Sequence, residues 1–223
     1  MIAKNDFIEL EFTARIKDGE VFDTNIESEA KKAKFDTKNI KQLIIAVGAN
    51  MVIKGLDKAL EGKELDKEYS LNLSPDDAFG KRDPGLVKTI PIKAFEQQKI
   101  YPQKGAQLVI DGMLVKIVSV SGGRVLVDFN NPLSGKIVVY QFKIKRKVED
   151  IGEKINTLQD FFFKQHFDFS VKEKQVIFKI PEASKQFEQF IKIFEKPFKE
   201  ILDLHIKSEF VKTEENSNKD SKK

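Results

Sequence analysis

Residues 47–62 read VGANMVIKGLDKALEG. Apolar side chains recur at Val52, Ile53, Leu56, Ala59 and Leu60, the spacing of one face of a short amphipathic helix. Gly62 is its stop signal. Upstream, Leu43 to Val47 is an apolar strand closed by Gly48. Downstream, Tyr69, Leu71 and Leu73 alternate as another strand, and Ser74-Pro75-Asp76-Asp77 is a turn. A short helix is thus set between strands.

Towards the N-terminus, Phe7 to Ile16 alternates, with Ile8, Leu10 and Phe12 on one side. Asp18-Gly19 turns the chain into a short strand ending at Phe22 and Asp23. Residues 24–41 are polar and irregular and read as a long loop. The texture changes from about Asp83 to Asp128. Leu86–Pro91 reads as a strand and Ile92–Gln98 as one or two helical turns. Leu108–Ile110 and Met113–Val120 follow around Asp111-Gly112, then Val125–Phe129 after Gly122-Gly123. Such dipeptides favour hairpin turns because positive φ costs them little. The block reads as a small β-rich unit. Pro132-Leu133-Ser134-Gly135 then turns into one long strand, Lys136–Val148.

The segment from about 150 to 211 has its own pattern. Asp150 caps a helix with Ile151, Ile155, Leu158 and Phe162 on one face. Phe167, Phe169 and Val171 alternate, as do Val176, Phe178 and Ile180, with a hairpin at Lys172–Gln175 between them. Phe187, Phe190, Ile191, Phe194, Phe198 and Ile201 line a second helix, which Pro197 should kink or split. Eleven of the chain's 19 phenylalanines fall here, so the segment has its own core. Residues 212–223 are polar and mixed in sign, the composition of a disordered tail.

The 223 residues are 40% hydrophobic and 33% charged, with 39 basic and 35 acidic side chains. Neither a nucleic-acid binder's segregated charge nor a bilayer-length apolar run is present. The basic run Lys143–Lys147, KIKRK, reads as a strand with a solvated face. The absence of cysteine excludes disulfides and thiolate chemistry and points to the cytoplasm. His166 and His205 stand alone, and no phosphate loop or nucleophile elbow occurs. No metal and no cofactor are expected. If the chain is an enzyme, it should need neither nucleophile, metal nor cofactor.

Three motifs in order, FTARIKDGEVFD (12–23), VGANMVIKGLDKALEG (47–62) and LSPDDAFG (73–80), followed by NPLSGK (131–136), resemble the FKBP-type peptidyl-prolyl isomerases over about residues 3–148. The block between AFG and NPLSGK sits where SlyD-like members carry an inserted domain for unfolded peptides. The larger archaeal members add a C-terminal domain. The resemblance implies an α+β fold, an antiparallel sheet wrapped on the short helix. Its domains would be an isomerase domain at 1–82 and 130–149, an inserted flap at 83–129 and a C-terminal α+β domain at 150–211. Prolyl rotation fits the exclusions above: its barrier is ~18–20 kcal/mol and no covalent bond breaks. A dry aromatic hollow favours the twisted, less dipolar amide.

Carried over, the resemblance makes Asp23, Ile53, Phe79 and Tyr140 catalytic, with Phe12, Phe22, Leu43, Val52, Leu56 and Leu133 binding substrate. The Ile53 amide would hold the substrate carbonyl, and Leu56 would be the floor. Phe22, Phe79 and Tyr140 would be aromatic walls, and Asp23 would be hydrogen-bonded within the pocket rather than act as a base. Many relatives carry Trp at the position of Leu56, and Tyr at those of Phe12 and Phe79. The inserted domain would capture unfolded chains through Ile90, Phe95, Leu108, Ile110, Leu114 and Val115. Expected partners are unfolded or partly folded proteins with X-Pro bonds, and a second copy through the phenylalanine-rich C-terminal domain. Membranes and nucleic acid are not expected. The alternatives are a catalytically weak holdase with a vestigial pocket and, on the KIKRK run, an RNA binder.

Overall fold

A computed structural model describes residues 1–38 and 40–211; the expected disordered tail lies outside the described residues. The chain opens with β1 (Phe7–Ile16), β2 (Val21–Thr24), α1 (Glu27–Lys32), β3 (Leu43–Ala46), α2 (Lys54–Leu60) and β4 (Glu68–Leu73). An excursion follows: β5 (Val87–Pro91), α3 (Ile92–Gln97), β6 (Gln107–Ile110), β7 (Met113–Ser121) and β8 (Arg124–Asp128). The long β9 (Val138–Val148) then returns between β1 and β4. The first sheet runs β2-β1-β9-β4, with β3 also on β1, and every pairing is antiparallel.

Alternation along β1 buries Ile8, Leu10, Phe12 and Ala14 on one face, and β9 supplies Tyr140, Phe142 and Ile144 beside them. Leu56 and Leu60 of α2 close this core. Gly55 lets the helix approach: a Cβ there would lie 2.4 Å from Leu73 Cδ2 and 2.8 Å from the Asp77 carbonyl oxygen.

The loop expected at 24–41 contains α1. It is six residues long, makes a Glu27–Lys31 ion pair, and buries only Ala30, so it has no apolar periodicity to read. KIKRK lies in β9 with its charges paired: Lys143 with Asp66, Lys145 with Glu11, Arg146 with Glu9 and Glu153, and Lys147 with Asp6.

The excursion forms its own sheet, β5-β8-β7-β6, around Phe95, Val115, Ile117, Val125 and Val127. Its two stems are clamped where they meet. Asp83 donates its N–H to Asn130 Oδ1 (2.8 Å), and Asn130 Nδ2 donates to the Asp83 carbonyl (2.9 Å).

Beyond Val148 come α4 (Ile151–Leu158), a π-helical turn (Gln159–Phe163), β10 (Asp168–Lys172), β11 (Gln175–Pro181), α5 (Phe187–Lys192), α6 (Glu195–Leu202) and β12 (His205–Val211). Asp150 caps α4 by accepting the Glu153 N–H at 2.7 Å. The second helix is split at Ile193 and Phe194. Proline at 197 has no N–H for the Ile193 carbonyl four residues back, which is where the break falls. Strand β12, parallel to β11, was not expected from the sequence; its apolar side chains are too sparse to read as a strand, and β11 supplies its partner.

This domain's core extends into the first sheet. Phe7, Ala46 and Val148 sit side by side on β1, β3 and β9 and pack with Phe163, Phe178 and Phe198. The phenylalanine excess that suggested a face awaiting a second copy is therefore largely used within the chain, by the domain's own core and by this docking. Among the described residues, no helix is long and apolar enough to cross a membrane.

Candidate active site

Asp23 and Tyr140 are each cross-strand to Ala14, so both project from the face that covers α2. In a regular strand Phe22 would point the other way. The β1–β2 register shifts between Ala14 and Arg15, leaving Phe22 as the extra residue of a bulge, and a bulge re-aims a side chain. The Phe22 ring meets Tyr140 edge-on at 6.2 Å and Phe79 edge-on at 5.6 Å; Phe12 stacks on Tyr140 at 5.8 Å.

Beside this cluster lies a cavity of about 820 Å³ lined by Phe12, Asp23, Leu43, Val52, Ile53, Leu56 and Tyr140. Seven of the ten expected pocket residues thus share one hollow. Phe22 is half-buried against Tyr140 and Phe79 against Phe22, and neither lines the cavity itself. Leu133 is not brought to it: it sits in the turn before β9, where its N–H donates to Asn131 Oδ1 (2.8 Å). The turn's contact with the site is made instead by Ser134, whose hydroxyl donates to the Phe79 carbonyl at 3.0 Å.

Asp23 keeps part of its surface in water, yet burial raises its carboxyl pKa above the ordinary value, with the Thr24 N–H pulling the other way. Burial, then the Asp23 charge, push the Tyr140 phenol up to about 12. The site therefore sets the Asp23 carboxylate beside a phenol that stays protonated. Among the described residues no His, Asp and Glu groups gather as metal ligands.

Ile53 precedes α2, and its carbonyl accepts the Asp57 N–H (3.0 Å). No acceptor among the described residues takes its own N–H, which is available at the cavity wall. The loop carrying Val52 and Ile53 is fixed by a residue that the motif reading passed over. The buried Asp57 accepts N–H bonds from Gly48 and Asn50, each at 2.8 Å. The same cavity is walled by Asn25, Phe35, Asp36, Ile40, Lys41, Gln42 and Met51. Most lie in the polar 24–42 stretch, where the lone aromatic Phe35 was the one available signal.

The expected capture residues divide. Phe95 and Val115 are buried in the excursion's own core, and Ile90, Leu108 and Ile110 are half-buried against it. A unit of four strands and one short helix needs these side chains for itself. Leu114 alone of the six is exposed, paired across the hairpin with exposed Val109.

A sheet wrapped on a short helix, with an aromatic hollow beside it, is the arrangement expected of a prolyl isomerase. The family model described as FKBP26, IF domain matches residues 88–133. A short-type peptidyl-prolyl cis-trans isomerase of Methanocaldococcus jannaschii is 30% identical over 147 residues, 65% of this chain and 93% of that protein. The FKBP-type isomerase SlyD of Aeromonas hydrophila is 28% identical over 65% of this chain and 63% of its own length. An FKBP-type 16 kDa isomerase of Escherichia coli is 27% identical over 64% of this chain and 91% of its own. The chain belongs to the FKBP-type peptidyl-prolyl cis-trans isomerases.

Proposed function

We propose that this isomerase accelerates folding by rotating prolyl bonds of unfolded chains in the 820 Å³ hollow, with the excursion domain capturing those chains first. The observation that carries the catalytic reading is a cavity lined by Phe12, Tyr140 and Asp23, with Phe22 edge-on behind Tyr140 and Phe79 edge-on to Phe22. In such a site the amide leaves water, so the dipolar planar form loses its hydration and the twisted form gains relative to it. The Ile53 N–H holds a substrate carbonyl while the apolar floor at Leu56 accepts the proline ring. No proton moves.

Capture is supported by the exposed Val109–Leu114 pair together with exposed Met113 and Tyr101 on the excursion. Tethering a client there raises its concentration at the hollow. The same residues support the second reading, a holdase with little catalysis. The cysteine-free chain suits the reducing cytoplasm. Pairing of two copies through the C-terminal domain rests on what remains exposed there, Phe190, Ile193 and Phe210.

The deciding experiment measures prolyl isomerisation on a short peptide and on a refolding protein, with wild type and with Asp23→Ala combined with Tyr140→Ala. Acceleration by wild type, lost in the variant on both substrates, supports the isomerase. Suppressed aggregation with no rate effect on either substrate supports the holdase. Equilibrium sedimentation with and without Ile193→Glu tests the dimer, which is excluded if both proteins are monomers.

A further inference from the structure

A second cavity of about 260 Å³ lies between the isomerase sheet and the C-terminal domain, lined by Gln42, Leu43, Ile44, Ile45, Met51, Thr157, Asp160, Phe161 and Lys164. Gln42, Leu43 and Met51 also line the proline hollow, so the two spaces adjoin. The residues they share are at the start of β3 and in the loop that enters α2.

Among the described residues, strand β3 pairs only with β1, and its other edge has no strand on it. Val47 directs its N–H and C=O towards the β1 side, to the Asp6 carbonyl and the Asn5 N–H. Ala46 faces away: its N–H donates to Met51 Sδ (3.2 Å) and its carbonyl accepts the Ala49 N–H (3.3 Å). Backbone direction alternates along a strand, so the N–H and C=O of Ile44 also point away from β1, into the second cavity. A free strand edge in a groove pairs with extended backbone.

The opposite wall is shaped for a side chain. Buried Gln159 accepts the Phe167 N–H (2.8 Å) and donates to the Phe167 carbonyl (3.3 Å), while the Lys164 N–H bonds back to the Gln159 carbonyl (3.0 Å). This clamp holds the π turn, which sends Phe163 into the core and leaves Phe161 outside it, in the groove. Lys164 Nζ lies over the Phe161 ring at 5.4 Å, and Asp160 stands at the same rim. π turns are frequent at functional positions.

We infer that the groove between β3 and the π turn binds the segment flanking the isomerised proline as an added strand on Ile44, with Phe161 as the platform for one of its side chains. The occupant is extended, unfolded polypeptide continuous with the X-Pro bond in the hollow. The inference rests on the isomerase reading and gives the C-terminal domain a part in substrate selection.

The test uses the full chain and two peptide series that share one X-Pro core: a blocked tetrapeptide, and the same core extended by about six residues on either side, long enough to span a strand. Wild type should isomerise one extended peptide with kcat/KM about 5- to 10-fold above the tetrapeptide, the worth of a few added contacts. Phe161→Ala and, separately, Ile44→Pro should abolish that gain through KM and leave tetrapeptide turnover unchanged. N-methylation of the extension's amides should do the same. Phe161 lies outside the buried core, meeting half-buried Phe162 edge-on at 5.0 Å, so Phe161→Ala decides the matter if Ile44→Pro unfolds. The inference is overturned if wild type shows no length preference, or if the preference survives both variants. It is equally overturned if Ile44→Pro only dissociates a dimer in sedimentation, because the edge then belongs to a second copy. Loss of tetrapeptide turnover by wild type would instead strike the isomerase reading itself.

Discussion

Asp23 and Tyr140 stand on either side of Ala14 in the sheet, each its direct cross-strand neighbour, and both face the hollow over Leu56. The carboxylate and the phenol are therefore separated by one strand, and the Asp23 charge bears on the phenol in a site short of water.

Burial of Asp23 puts its folded-state pKa above 3.8. For such a group the stability contribution is complete below the unfolded pKa and is lost as pH rises through the folded one, so at neutral pH the charge is held at a cost. Asp23→Asn should therefore leave stability at pH 7 equal or higher in urea unfolding, with the difference vanishing below pH ~3.8. Its kcat/KM should fall about tenfold, the size of one lost polar contact. A variant that is less stable at pH 7 would contradict the burial argument.

Tyr140 titrates at about 12 in the folded protein against 10.0 for an ordinary phenol. Its stability contribution is full below pH 10 and disappears as pH rises through 12, because the unfolded chain ionises first. Tyr140→Phe should flatten part of the alkaline loss of stability of wild type, measured by thermal unfolding between about pH 9 and 12. It should also keep more activity than Tyr140→Ala, since the ring wall survives. Identical alkaline profiles for wild type and Tyr140→Phe would refute the assignment.

Removing the Asp57 carboxylate leaves the Gly48 and Asn50 N–H groups without their acceptor in a part-buried loop. Asp57→Ala should cost about 2–4 kcal/mol in urea unfolding. Activity should fall beyond what the lost stability explains, because Val52 and Ile53 are no longer held at the cavity. A variant with wild-type kcat/KM would show that this loop does not need the clamp.

Cutting the chain after Glu149 strips the cover from Phe7, Ala46 and Val148. The truncated protein should bind a hydrophobic dye and aggregate more readily than the full chain. Phe7→Ala in the full chain should cost about 3–5 kcal/mol through the cavity left behind. A truncated form that stays soluble with wild-type stability would mean the C-terminal domain does not share this core.

The strands, the helix α2 and the hairpins of the excursion were legible because each carries its own period: alternation along β1, the three- and four-residue spacing from Val52 to Leu60, and Asp-Gly or Gly-Gly at the turns. The pocket residues were legible only through motif order, since a phenylalanine at 12 or 22 is by type an ordinary core residue. Leu133 was misplaced because a turn before a strand can point its apolar residue either way. Phe95 and Val115 were misassigned because alternation identifies a face without saying whether anything covers it. Helix α1 and strand β12 carried too few apolar residues to declare themselves.

From the chain alone came the local elements, the lack of any thiol, and the presence of separate apolar clusters, because these depend on near neighbours and on composition. Only the folded arrangement decided that a bulge turns Phe22 towards Tyr140, that Asp57 ties down the loop before Ile53, and that the C-terminal phenylalanines dock on Phe7. Each of these joins residues by cross-strand register or by packing between domains, and such contacts between distant positions leave no periodic mark in the order of residues.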